Sequence, residues 1–321
     1  GARARHVHAI RTGRMTGSAV FGLAIALGAC LLFQVQFLLA KLILPWFGGS
    51  PSVWSTSLVV FQVLLLAGYA YAHAIAALPR RAQLTRHVAV VAVILGVLIW
   101  RAATWPSPVT PGDDWKPDPD RSPIAQILVL LTGAIGLPFL VLASTSPLLQ
   151  RWHADRWPDR SPYRLYALSN LGSLVGLVSY PFLVEPHLDV FQQGRWWALA
   201  YGLYAVAVMA CVRGMRTIPV ATQHGAAIAP TVGLDAPTTV RRPRLGDHVL
   251  WLVLAAVPAA LLQATTTRIT QDIAAVPFLW MVPLAVYLVT FIVAFEYPRA
   301  FHRGILTVLL ALGMAAAIPE W

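Results

Sequence analysis

Nine apolar runs, most of about twenty residues or more, leave this chain very few folds. They cover roughly 19–44, 53–78, 88–105, 123–149, 165–184, 194–213, 248–267, 277–296 and 303–319; four contain no charge and the other five only one or two charged residues. A bilayer core about 30 Å thick takes about 20 apolar residues as helix. Lipid offers no partner to a free N–H or C=O, so a crossing segment is a helix or a strand of a closed barrel. Barrel strands alternate over segments of about ten residues, and these runs are continuous. The expected fold is therefore an all-α polytopic integral membrane protein with about nine transmembrane helices. The first run is too long for the apolar part of a signal peptide, and no small-residue cleavage site follows it. It reads as a retained helix.

Composition agrees. The chain is 58% apolar and 12% charged, whereas a soluble domain is near half apolar and about a quarter charged. That excludes an ordinary soluble domain and a disordered chain alike. Cys30 and Cys211 both lie inside apolar runs, which excludes a disulfide framework and a cysteine-based zinc site. The net charge of +11 is not a nucleic-acid signal, because the basic residues sit in short gaps between apolar runs.

Those gaps set the expected orientation. Counting alternate connections, one side holds Arg3, Arg5, Arg11 and Arg14, then Arg80, Arg81 and Arg86, then Arg151, Arg156, Arg160 and Arg164. The same side receives Arg213, Arg216, Arg241, Arg242 and Arg244, and finally Arg299 and Arg303. Only Lys41, Arg101, Lys116, Arg121, Arg195 and Arg268 fall on the other side, whose loop 105–122 carries Asp113, Asp114, Asp118 and Asp120. Short basic loops stay inside, so the N-terminus is expected in the cytoplasm. Trp46, Trp54, Trp105, Trp152, Trp157, Trp196 and Trp197 fall near the ends of runs, where amphipathic rings settle at the interface.

The organisation reads as a basic tail 1–18, a six-helix half 19–213, a cytoplasmic linker 214–247 rich in Pro, Ala, Thr, Gly and Arg, and a three-helix start of a second half 248–321. Six spans, a long inner loop and further spans make the layout of a major-facilitator-type transporter, whose halves are parallel repeats. An ungapped pairing of 51–71 with 277–297 matches six of 21 positions, including Pro51/Pro277, Trp54/Trp280 and Tyr71/Tyr297. The match reads either as an internal repeat, in which span two corresponds to span eight and three further spans are expected beyond Trp321, or as helix-start chemistry shared by the two segments.

Several segments carry a resemblance. LAKLILPWFGGSPSVW (39–54), FQVLLLAGYAYAH (61–73), SPLLQRW (146–152), YRLYALSNLGSLVGLVSYPFLVEP (163–186) and TTTRITQDIAAVPFLWMVPLAVYLVTF (265–291) resemble the polytopic part of bacterial fused major-facilitator/spermidine-synthase-like membrane proteins. The resemblance implies a membrane module followed by a soluble aminopropyltransferase-like domain that binds an S-adenosyl nucleotide through a glycine-rich loop. No such loop follows a strand pattern here: Gly48-Gly49 and Gly172 sit between or within apolar runs. No catalytic residue carries over. This chain is either a truncated or a membrane-only relative, with no cofactor or metal expected on it and no enzyme activity of its own.

The candidate site residues are polar groups at membrane depth. Gln34, Gln62, Asn170 and Gln263 fall within spans one, two, five and seven. Polar side chains there serve interhelical hydrogen bonds or line a polar cavity; the first use is the common one. Gln36 also lies in span one. Lys41 and Glu185 lie at matching depth near the outer ends of their spans, as an ion pair or as two side chains snorkelling independently, the latter preferred. Arg268 and Asp272 are four residues apart and can pair on one helical turn. Trp46, Gly48, Gly49 and Trp54 form a glycine-rich hairpin between spans one and two, either a packed interfacial turn or an outer lip. Small residues at 169, 172, 173 and 176 invite a close helix approach. Ser144-Thr145-Ser146-Pro147 reads as a break near the inner end of span four, its hydroxyls satisfying carbonyls that the proline frees.

One absence matters. No Asp or Glu lies near the middle of any run, which disfavours a proton relay and a site for polyamine cations. Two functional readings follow. The first is a membrane module of a spermidine synthase-like fusion, anchoring a cytosolic domain and binding or moving a small polar molecule. The second is a non-catalytic, non-transporting accessory subunit packed against other membrane proteins. The expected surroundings are the lipid bilayer, with no nucleic acid.

Overall fold

The computed structural model describes residues 2–161, 163–216, 244–272, 277–297 and 302–317. Within them every long element is a helix. These are α1 (Ala2–Phe47), α2 (Pro51–Ala76), α3 (Arg80–Thr104), α4 (Pro123–Arg156), α5 (Tyr163–Ser179), α6 (Val190–Arg216), α7 (Leu245–Asp272), α8 (Pro277–Glu296) and α9 (Arg303–Ala317). Seven of the nine, α1 to α7, are long and apolar enough to cross a membrane. The shorter apolar stretches Met281–Glu296 and Gly304–Gly313 lie in α8 and α9.

Helix ends follow backbone chemistry. Pro51, Pro123 and Pro277 open their helices, where a missing N–H costs nothing. Gly48 closes α1 at φ +78°, with its N–H on Leu44 O at 2.9 Å. Glycine adopts that left-handed cap without steric cost. The polar stretch after Pro79 is helical as well, so α3 starts at Arg80, not at the first apolar residue near 88.

The break expected at Pro147 is not seen, and an unexpected one lies elsewhere. α4 passes through Pro147 and runs to Arg156. Ser144 Oγ and Thr145 Oγ1 both donate to Val141 O, at 2.7 and 2.9 Å. Neither reaches the Ala143 carbonyl that Pro147 leaves without its helical N–H. The ladder shifts instead where no break was expected, at Pro181. Tyr180–Val184 is one widened π turn, and Glu185 N–H reaches back five residues to Tyr180 O at 2.8 Å. Such single turns absorb a proline inside a helix.

α1 packs along α5, α6 and α4, and α2 packs along α4. Val35, Leu39, Ile43, Leu131, Ile135 and Leu149 are fully buried in the core they share. The small-residue face of α5 meets α1 at backbone distance: a Cβ on Gly172 would stand 2.3 Å from Ala26 O, and one on Gly176 2.5 Å from Cys30 O. α8 seats against α5, and α7 packs chiefly on α8. Much of α7 stays uncovered, with Leu250, Leu252 and Leu254 exposed.

Polar groups gather at the end of the bundle formed by the α2–α3 turn and the end of α4. Arg80 Nη1 binds Asp155 Oδ2 at 2.8 Å, and Trp152 Nε1 donates to Gln83 Oε1 at 2.9 Å. Tyr71 Oη and His87 Nδ1 lie 3.2 Å apart. These contacts lock α2, α3 and α4 together. The sequence signalled none of them, because each partner lies on a different helix.

Candidate functional site

Six helices contribute one face each to a cavity of about 1020 Å³. Ile25, Ala29, Leu32, Phe33 and Gln36 line it from α1, a spacing that repeats one side of a helix. α2 adds Leu58, Gln62 and Tyr69; α4 adds Ser146 and Gln150; α5 adds Tyr166, Ser169 and Asn170. α7 closes it with Gln263 and Thr266, and α8 with Leu284 and Leu288. The cavity therefore lies between α1, α2, α4 and α5 on one side and the α7–α8 pair on the other.

The structure brings Gln62, Asn170 and Gln263 together on this cavity and leaves Gln34 out. Residues 34 and 36 are two apart, and about 100° per residue puts them on nearly opposite sides of a helix. Gln34 faces α5, where Nε2 donates to Ser179 Oγ at 3.1 Å. It lines a smaller pocket of about 240 Å³ beside Tyr180, Gln193 and Trp197. Gln34, Tyr180, Gln193 and Trp197 of that pocket all hydrogen-bond within the protein. Tyr180 Oη donates to Gln193 Oε1 at 2.9 Å, Gln193 Nε2 to Leu188 O at 2.9 Å, and Trp197 Nε1 to Leu31 O at 2.9 Å. They tie α1, α5 and α6 together.

In the large cavity the balance is different. Gln36 Nε2 donates to Leu32 O at 3.1 Å, Asn170 Nδ2 to Tyr166 O at 3.0 Å, and Gln150 Nε2 to Ser146 Oγ at 2.8 Å. Each amide thus spends one N–H on its own helix. Gln62 and Gln263 have no hydrogen-bond partner among the described residues. Gln36 and Gln150 were not grouped with the cavity from sequence. A helical projection of α1 separates Gln36 from Gln34, but it does not say which neighbour each side meets.

The other candidates lie elsewhere. Lys41 Nζ stands 3.5 Å from Glu185 Oε1, with the two side chains 33% and 48% exposed. The pair forms, in place of two independent snorkelling groups, because the widened turn at Pro181 ends on Glu185 beside α1. So exposed a pair contributes at most about 1 kcal/mol. Trp46 packs against the core, Gly48 and Gly49 are exposed, and Trp54 is half-buried with Nε1 unpartnered. None of the four lines either cavity. Arg268 lies exposed on α7, whereas the side chain of Asp272 lies outside the described residues.

Among the described residues no cluster of three His, Cys, Asp or Glu side chains could hold a metal ion. No family model, curated protein or solved structure matches the chain.

Proposed function

We propose that this chain is the membrane module of a spermidine synthase-like fusion protein. It lies in the bacterial inner membrane with its N-terminus in the cytoplasm, anchors a cytosolic domain, and binds or moves a small polar molecule through the large cavity. The observation that carries the binding role is the convergence of amides from α2, α5 and α7 on one space, two of them without a hydrogen-bond partner among the described residues. Ligand sites are typically concave, mostly apolar and dotted with a few convergent polar groups. The arginine distribution supports the orientation. The pairing of 51–71 with 277–297 supports a major-facilitator-like layout, and so does a cavity between two helix groups rather than within one.

Binding is tested by melting the purified protein against millimolar sugars, amino acids, amides and polyamines. Anything that binds only the folded state raises its stability, by about 2.7 kcal/mol at a hundred times its Kd. At least one solute is expected to raise Tm, and Gln62→Leu combined with Gln263→Leu is expected to remove that rise. A rise unchanged in the double variant, or none with any solute, contradicts the proposal.

A further inference from the structure

The chemistry of the large cavity narrows its occupant well beyond a small polar molecule. Its described lining holds no Asp, Glu, Lys, Arg or His side chain. It holds amides and hydroxyls set among aliphatic and aromatic groups. Gln62 and Gln263 have both amide donors and acceptor unpaired, and the hydroxyls of Tyr69 and Tyr166 also find no hydrogen-bond partner among the described residues. Phe33, Phe61 and Phe139 supply flat apolar walls.

A charged occupant gives up its hydration here and meets no counter-charge. Coulomb attraction cannot offset that loss. A polyamine, with its several ammonium groups, finds no carboxylate. An anion finds no arginine or lysine. A wholly apolar occupant fits no better, because it strands the unpaired amides and hydroxyls away from water. We propose that the site takes an uncharged organic molecule with hydrogen-bond donors and acceptors on an apolar or aromatic body, and that it rejects cations and anions alike. The volume of about 1020 Å³ is at the upper end of ordinary small-molecule sites, about 300–1,000 Å³. This inference rests on the cavity being the binding site proposed above.

The test reads charge at the site directly. Cys30→Ala and Cys211→Ala remove the native thiols, and Ser169→Cys places one on the cavity wall. Three methanethiosulfonates of matched size modify it: the trimethylammonium-ethyl cation, its neutral 3,3-dimethylbutyl isostere, and the sulfonato-ethyl anion. Each rate is divided by that at Asp114→Cys in the exposed α3–α4 loop. The reactivity of the cavity thiol is common to all three, so the ratio reports the reagent's charge. Both charged reagents are expected to react at least about tenfold more slowly than the neutral one, as an uncompensated charge must leave water. A cation or anion that matches the neutral reagent overturns the ligand class and leaves the cavity standing. No reaction with any reagent, in protein that elutes as a single folded species, removes the cavity and the binding proposal with it. Ser146→Cys repeats the measurement from α4, so misfolding of one variant does not decide the outcome.

Discussion

Replacing Gly172 and Gly176 by alanine should nearly abolish recovery of folded protein, although each change adds one methyl group. A Cβ at 172 would meet Ala26 O at 2.3 Å and Ala26 Cα at 2.9 Å; one at 176 would meet Cys30 O at 2.5 Å. Those obstacles are backbone atoms of α1, which cannot rotate aside as a side-chain tip can. The two glycines lie one turn apart on one face of α5, so both methyl groups push the same two helices apart. Lipid tails are as apolar as the helices, so close van der Waals contact is much of what joins α1 to α5. Overpacking a tight contact costs about 1–3 kcal/mol per site, and here the two costs fall on one interface. Gly96 and Gly202 are the controls, since an added Cβ meets nothing within 4 Å at either. Gly96→Ala and Gly202→Ala should hold or slightly raise Tm in detergent, as alanine favours helix. Equal Tm in all four single variants would show that α1 and α5 do not pack this closely.

Arg101→Met should be the most damaging single change on α3, and Pro138→Ala on α4 should blunt it. Arg101 sits in the last turn of α3, over the Trp105 ring at 4.3 Å. Its Nη1 and Nη2 donate to Ala134 O and Gly133 O, each at 2.6 Å. The N–H that would close the helical bond to Ala134 O belongs to residue 138, which is proline and has none. The guanidinium therefore replaces the donor that α4 lacks. Removing it strands a buried carbonyl, at about 1–3 kcal/mol. With alanine at 138 the helix supplies its own N–H, so losing Arg101 should cost less there. A double-mutant cycle on Tm-derived stabilities should show a coupling of about 1 kcal/mol or more, the range found for groups in one hydrogen-bonded network. Additive effects would mean that Arg101 acts elsewhere.

Helix positions were legible because an apolar run of spanning length has one stable form in lipid, the helix, and seven of the helices are long and apolar enough to span a membrane. Their ends were less so. Hydropathy placed the start of α3 near Val88, but a helix continues through polar residues as readily as apolar ones, and Pro79 sets the boundary. In the sequence the hydroxyls of Ser144, Thr145 and Ser146 mark Pro147 as the break. Ser144 and Thr145 bond Val141 O instead, and the ladder widens at Tyr180 and Pro181, which no run of three hydroxyls precedes. For the site, sequence identified amides at membrane depth without choosing their faces. Gln62, Asn170 and Gln263 share a cavity only because α7 and α8 fold back toward α2 and α5. Nothing local to any one helix encodes that return.

Everything about the cavity depends on the chain crossing the bilayer in series, with its arginine-rich connections inside. In protein lacking Cys30 and Cys211, a single cysteine at Ala227 in the 217–243 connector is compared with one at Asp114 in the α3–α4 loop. Intact cells are treated with a membrane-impermeant maleimide. Asp114→Cys should be modified, and Ala227→Cys should stay protected until detergent opens the membrane. Modification of Ala227→Cys in intact cells, with Asp114→Cys protected, would contradict the orientation and the alternating map built on it.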